Sequence, residues 1–182
     1  MIACDHLGSP WITFDRLMVR RQDPALDALL VWLNDEPAHV ERLMKTPQGI
    51  AQLCVVMEVK HMGTFSNMLN ALSQIVYKST VINRALGKVD PSLSASPFVT
   101  ALIRRLSSNG LERRSHPLDA LVRRLLLTIL TEIYRKHQEP KQLVKLHHLS
   151  ALLKGIIDQD KAVLVRQVAS ELFESFKLHD IL

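Results

Sequence analysis

The sequence predicts an all-α chain, and three features carry that prediction. Only six of the 182 residues are glycine. Leucine-rich segments are spaced by Lys, Arg, Gln and Glu, which favour helices, and alternating β-branched runs are nearly absent. The third feature is a hydrophobic content of 47%, enough for one well-covered core, so we expect a single domain over residues 1–182.

The tripeptide Leu-Val-Arg occurs twice, as Leu121-Val122-Arg123 and Leu164-Val165-Arg166. The two copies stand 43 residues apart and begin similar stretches of sequence. Helical repeats of about 40 to 47 residues are typical of armadillo and HEAT solenoids, where each repeat buries its apolar face only against a neighbour. The sequence therefore predicts an armadillo/HEAT-like helical-repeat solenoid of about four repeats, with the first and last incomplete.

Proline marks the predicted helix starts, because it suits the first turn of a helix and breaks its interior. With capping or acidic residues ahead of the prolines, helices are expected to begin near residues 24, 37, 47, 97, 117 and 140. Apolar spacing adds a helix capped by Thr64 and a last helix from Lys161 to Lys177. The longest helix is expected from Leu118 to His137, and about eight to ten helices in total.

The repeat extends towards the start of the chain. A shift of 42 residues carries Leu26 and Leu30 onto Met68 and Leu72, so the helices near 24 and 64 are equivalent to those near 118 and 161. The third interval is stretched to about 54 residues, and two loop-like stretches, 87–96 and 107–115, account for the excess.

Single residues that could carry chemistry give no site. The glycines form no phosphate loop, and the four histidines at 137, 147, 148 and 179 lack metal-ligand spacing, so solvated helix-end histidines are expected. No cofactor and no catalysis are expected. Trp32 is expected to be buried, and Asn67, Asn70 and Asn83 to be surface polar residues. Cys4 and Cys54 are expected to be free thiols in a reducing compartment.

The net charge of +5 is unevenly placed. Residues 101–154 hold eleven Lys or Arg against four acids, whereas residues 155–182 hold three against five. A basic block followed by an acidic tail favours a directional surface for an acidic partner, and a solvated repeat face is the alternative. No segment reaches the length of a membrane span, so a soluble, cytoplasmic protein is expected.

The predicted partner-binding surface comprises eight residues: Arg104, Arg105, Arg124, Thr128, Thr131, Arg135, Gln167 and Glu171. Four of them form the polar stripe of the longest helix at helical spacing. The positions 43 residues after Arg124 and Thr128 are Gln167 and Glu171. The stripe therefore changes from basic to acidic across one repeat. The register-matched pair Arg123 and Arg166 is instead expected to be structural, bridging neighbouring helices.

The C-terminal half resembles a known family. The matching positions are the run His137–Val144, then Leu149, Leu152 and Leu153, then the run Asp160–Arg166 with Ala169. They are similar to the helical repeat region after the kinase domain in fungal septation and mitotic-exit network kinases, and plant MAP-kinase-kinase-kinases of the epsilon type have a similar region. The resemblance covers about residues 60–177. The kinase motifs themselves are missing from this chain.

The resemblance implies a non-catalytic interaction and localisation module of a cell-division kinase. Its partner would be a small Ras-like GTPase or a spindle-pole scaffold with an acidic surface, and its location the cytoplasm and the spindle pole body. Two alternatives stay open. One is a nucleic-acid-binding HEAT-type module, which the scarcity of aromatic residues disfavours. The other is a dimerisation or autoinhibitory element, including a homodimer.

Overall fold

The computed structural model describes residues 22–90, 95–107 and 119–178, with side chains from Leu26 onward. Within these ranges ten α-helices follow one another: α1 (Gln22–Asp35), α2 (Pro37–Met44), α3 (Pro47–Val55), α4 (Met62–Lys78), α5 (Thr80–Gly87), α6 (Pro97–Ser107), α7 (Ala120–Lys136), α8 (Pro140–Leu146), α9 (Leu149–Gln159) and α10 (Val163–Leu178). A short 3-10 turn spans Val56–Glu58. The described residues contain no strand beyond an isolated bridge between Asp90 and Ala95, so the all-α class is confirmed.

Five of the ten described helices pack on the third helix that follows them. The long helix α1 lies against α4, α4 against α7, and α7 against α10. The shorter helices do the same, with α2 against α5 and α3 against α6. The packing unit is therefore three helices, and the four long helices that the repeat register made equivalent lie side by side.

The buried positions of the long helices follow the same register. Met68 and Ile75 of α4 have their counterparts 58 residues later in Leu126 and Ile133 of α7, and all four side chains are buried. A further 43 residues lead from Leu126 to the buried Ala169 of α10. The stretched interval is thus 58 residues rather than about 54, because α4 starts at Met62 and α7 at Ala120.

Several helix starts are confirmed, at Pro37, Pro47, Pro97 and Pro140. The predicted start at Pro117 lies outside the described residues. Thr64 was expected to cap α4, and this expectation is wrong. The His61 ring precedes the helix instead, and its Nδ1 accepts from the Thr64 amide at 3.2 Å.

The last helix starts at Val163 rather than Lys161. Its first turn is prepared by Asp160, whose Oδ1 accepts from the Ala162 amide at 2.9 Å. The sequence assigned no start to α5, which begins at a buried serine. Ser79 Oγ accepts from the Ile82 amide at 3.1 Å and caps this helix.

The leucine and the valine of the repeated Leu-Val-Arg tripeptide differ in burial, which the sequence did not predict. Val122 and Val165 are buried in the packing between helices, whereas Leu121 is 47% and Leu164 57% exposed. Adjacent helix positions lie about 100° apart, and at the start of both helices the valine takes the direction that faces the core. The apolar stripe therefore excludes both leucines, which is a correction of the sequence expectation.

The burial predicted for Trp32 is also wrong. Its side chain is 41% exposed, although burial was expected. Leu29 and Leu33 take the inward positions of α1, and Trp32 instead lines a cleft of about 320 Å³ with His39 and Val40 of α2.

Candidate protein-binding surface

The stripe predicted on α7 lies on one side of that helix. Arg124, Thr128 and Arg135 are exposed and Thr131 is half-buried, while Leu126 on the other side is inaccessible. Thr128 Oγ1 donates to the Arg124 carbonyl at 2.9 Å, and Thr131 donates in the same way one turn later. These bonds hold both hydroxyls against the helix, so the two arginines are the groups of the stripe that project furthest.

The two arginines differ in how free their charge is. Arg124 makes no side-chain hydrogen bond or ion pair with any described residue. Arg135 is 63% exposed and lies 3.3 Å from the Glu132 carboxylate, which Lys136 also approaches at 3.6 Å. An exposed pair of this kind contributes little to stability, so Arg135 can exchange its partner at small cost. Both guanidinium groups are therefore available to an acidic surface.

The stripe continues on α10, which packs beside α7. Gln167 and Glu171, the counterparts of Arg124 and Thr128, are both exposed, and the Gln167 amide donates to the Glu171 carboxylate at 3.0 Å. One turn on, Glu174 pairs with Lys177 at 2.6 Å. The long helices thus present a basic stripe next to an acidic one.

Arg104 and Arg105 do not act together. Arg104 is exposed on α6, but Arg105 turns inward, where its Nη2 donates to the Val59 carbonyl at 2.9 Å. Its guanidinium lies 4.7 Å from the centre of the Phe65 ring, and burial lowers its pKa. Arg105 therefore joins α6 to the start of α4, and the expectation that it extends the basic surface is corrected.

Arg123 has the structural role expected of it. Its Nε and Nη2 donate to the two carboxylate oxygens of Asp160 at 2.7 and 2.8 Å, with 17% and 9% of the respective side chains exposed. Burial alone would raise the pKa of Asp160. Hydrogen bonds from Arg123 and Ala162 and the charges of Arg123 and Arg166 lower it by a larger amount, so the pKa lies below its usual value. The pair fixes α7 to the turn before α10.

Sequence reasoning missed the part of this surface that α4 contributes. Counting back 58 residues from Thr128 and Arg135 leads to Asn70 and Tyr77, and Tyr77 is 69% exposed. The repeat register could have found them. Asn83, by contrast, is fully buried rather than on the surface, and its amide donates to the carbonyls of Val76 at 3.2 Å and Glu132 at 3.0 Å.

His137 and His147 are packing groups and not solvated helix ends, whereas His148 is exposed just before α9, as expected. His147 Nε2 accepts from the Ser96 amide at 3.2 Å, and burial, reinforced by His137 and His148, lowers its pKa. His137 accepts from the Glu139 amide and lies 3.0 Å from the Gly87 carbonyl, so its ring is the neutral tautomer protonated at Nε2. His179 lies outside the described residues.

Two features of the described residues bear on function. No three His, Cys, Asp or Glu side chains within these ranges come together as metal ligands. None of the helices there is both long and apolar enough to cross a membrane. Cys54 is a free thiol, and Cys4 lies outside the described residues.

The chain is similar to parts of plant protein kinases. It is 27% identical over 166 residues to MAP3K epsilon protein kinase 2 of Arabidopsis thaliana, and 26% identical over 167 residues to MAP3K epsilon protein kinase 1 of the same plant. Each alignment covers 87% of this chain and 11% of the relative, so the chain spans about a ninth of these proteins. No family model and no solved structure matches it.

Proposed function

We propose that this chain is a non-catalytic, armadillo-like interaction and localisation module of a kinase-related signalling protein. The packing of α1 on α4, α4 on α7 and α7 on α10 carries the proposal, because it places the long helices in adjacent pairs whose outward residues can act together. The relatives are named as protein kinases, and the small matched fraction of their length agrees with a region other than the catalytic one.

The partner that fits this surface is a protein with an acidic patch. Arg124 and Arg135 lie about three helical turns apart on α7. Threonines lie between them, and Tyr77 of α4 lies beside them in the repeat register. Positive charges of this kind steer an acidic partner, and an exposed tyrosine adds contact area. The acidic residues of α10 next to the stripe would fix the orientation by repelling the partner's acids.

The resemblance to septation and mitotic-exit kinases narrows the proposed partner to a small Ras-like GTPase or a spindle-pole scaffold. Binding would bring the kinase to the spindle pole body from the cytoplasm at cell division. In this role the module supplies a location and leaves the chemistry to another part of the protein.

The test is charge reversal on the stripe. The double variant Arg124→Glu/Arg135→Glu should bind a candidate partner at least tenfold more weakly, mainly through a slower association rate, because exposed charges act on encounter. Lys60→Glu/Lys161→Glu, two exposed lysines outside the stripe, makes the same change in net charge and should bind like the parent. Surface plasmon resonance measures both rates. Equal loss in the two variants, or no loss in either, would refute the proposed surface.

Exposed apolar residues favour a second candidate, self-association. Leu121 at the start of α7 and Val163 and Leu164 at the start of α10 are all about half exposed or more. A homodimer or an autoinhibitory contact could cover them. Multi-angle light scattering of the parent and of Leu121→Ser/Leu164→Ser decides it, since a concentration-independent monomer mass for both excludes the dimer.

A further inference from the structure

A second basic surface lies away from the stripe, in a groove between three short segments. Its described walls are the end of α2 with Lys45 and Thr46, the end of α5 from Arg84 to Val89, and Gln138 of the α7–α8 connection with Gln142 of α8. The groove has a volume of about 680 Å³ and is open to solvent. That volume is within the range of about 300–1,000 Å³ usual for binding clefts.

The groove is positively charged. Lys45, Arg84 and Lys88 line it and are exposed, against a single acid, Glu139. The side chains of Lys45 and Lys88 make no hydrogen bond or ion pair with any described residue. Three cations against one carboxylate leave the concave site with a net positive charge, and its walls focus a positive potential there.

The floor of the groove is rigid. His137 joins its two sides, since its Nε2 donates to the Gly87 carbonyl at 3.0 Å and its Nδ1 accepts from the Glu139 amide at 3.0 Å. A Cβ at Gly87 would lie 2.7 Å from the His137 ring, so only glycine allows this approach. On the opposite wall Thr46 Oγ1 accepts from the Gly49 amide at 3.1 Å and caps α3. A site built in advance loses less entropy on binding.

We propose that this groove binds an extended acidic peptide segment, independently of the stripe on α7. The cations recognise the acidic side chains, while the Gln138 and Gln142 amides can each donate to and accept from a peptide backbone. Nucleic acid fits less well, because no aromatic side chain lines the groove to stack on a base. The walls offer Ala85 and Val89 as apolar contacts for a short peptide instead.

The experiment uses the 182-residue chain and a fluorescein-labelled ten-residue peptide of alternating Glu and Ser. Fluorescence anisotropy should show saturable binding that weakens at least threefold between low and physiological salt. The same peptide with Gln in place of Glu should bind at least tenfold more weakly. No binding of the acidic peptide at millimolar concentration overturns the proposal.

Variants locate the site. Lys45→Glu/Lys88→Glu should weaken peptide binding at least tenfold, whereas the charge-matched Lys60→Glu/Lys161→Glu should change it less than twofold. Arg124→Glu/Arg135→Glu should also leave it within twofold, which separates the groove from the stripe. Equal weakening in the groove variant and the charge-matched control means that net charge alone is sensed, and overturns the proposal. An oligothymidylate that binds through Lys45 and Lys88 more tightly than the peptide overturns it as well.

Discussion

Replacing Asp160 by alanine should destabilise the protein by about 2–4 kcal/mol. Removing one partner of a buried ion pair costs about 3–5 kcal/mol, because the remaining charge is left without compensation. Losing the bond to the Ala162 amide, which prepares the start of α10, adds about 1 kcal/mol. Arg123 keeps 17% of its side chain exposed and lines an open cleft, so water recovers part of the loss.

Urea unfolding followed by helical circular dichroism measures this cost at neutral pH. A change of 1 kcal/mol moves the melting temperature of a domain of this size by about 2–4 °C, so we expect a loss of roughly 5–15 °C. Asp158→Ala is the matched control, since Asp158 is exposed two residues away and should change stability by at most about 0.5 kcal/mol. In a double-mutant cycle with Arg123→Leu the coupling should be about 1.5–3 kcal/mol.

Acid should abolish the difference between parent and variant. The pKa of Asp160 is lower in the folded than in the unfolded chain, so its contribution is complete above about pH 4 and is lost as pH falls through the folded value. Asp160→Asn should therefore be less stable than the parent at neutral pH, and the difference should shrink as pH falls through the folded pKa of Asp160. If Asp160→Ala unfolds like Asp158→Ala, or the coupling is near zero, the pair does not hold α7 to α10.

Three further outcomes follow from buried positions. Gly87→Ala should cost about 1–3 kcal/mol in urea unfolding, because the added Cβ meets the His137 ring, whereas Gly155→Ala, in open space within α9, should stabilise by about 0.5–1 kcal/mol. Because burial lowers the pKa of His147, the contribution of this residue to stability is complete above about pH 6.5 and is lost as pH falls below that value. His147→Gln should flatten this pH dependence of the unfolding free energy, measured at successive pH values. Burial raises the pKa of the Cys54 thiol to about 11. In a Cys4→Ser background at pH 8, Cys54 of the folded protein should therefore be alkylated at least tenfold more slowly than Cys54 of the protein unfolded in urea, as mass spectrometry measures. Equal stability of the two glycine variants, an unchanged pH profile, or rapid alkylation of the folded protein would contradict the respective argument.

Features that depend on neighbours in sequence were predictable. Proline at the first helical position acts within one turn, and four such starts are where the sequence placed them. The stripe from Arg124 to Arg135 depends only on helical spacing, so its shared face was predictable as well. The 43-residue repeat also identified Val122 and Val165 as equivalent positions, and both are buried.

Features that depend on distant partners were not predictable. Arg105 is drawn inward by Val59 and Phe65, about 40 residues earlier, and nothing near it in sequence signals that contact. Asn83 is buried because it meets a carbonyl of α7, 49 residues later. Arginine and asparagine side chains are usually found at the surface. Burial of these two is possible because the packing of the helices supplies a hydrogen-bond partner for each.

The stack is also held by a contact that recurs with the register. Lys136 Nζ donates to the carbonyl of Tyr77 at 2.7 Å, at the end of the preceding long helix, where a positive charge favours the helix dipole. Its counterpart 58 residues earlier, Lys78, reaches the end of α1 and donates to the Asn34 side chain at 2.9 Å. The two lysines fix each long helix to the one before it from the side, outside the apolar packing. Because register is set at these ends and in the core, the exposed stripe between them is free to vary its charges, as it does between α7 and α10. The charge of the stripe can thus change along the stack without loss of the fold.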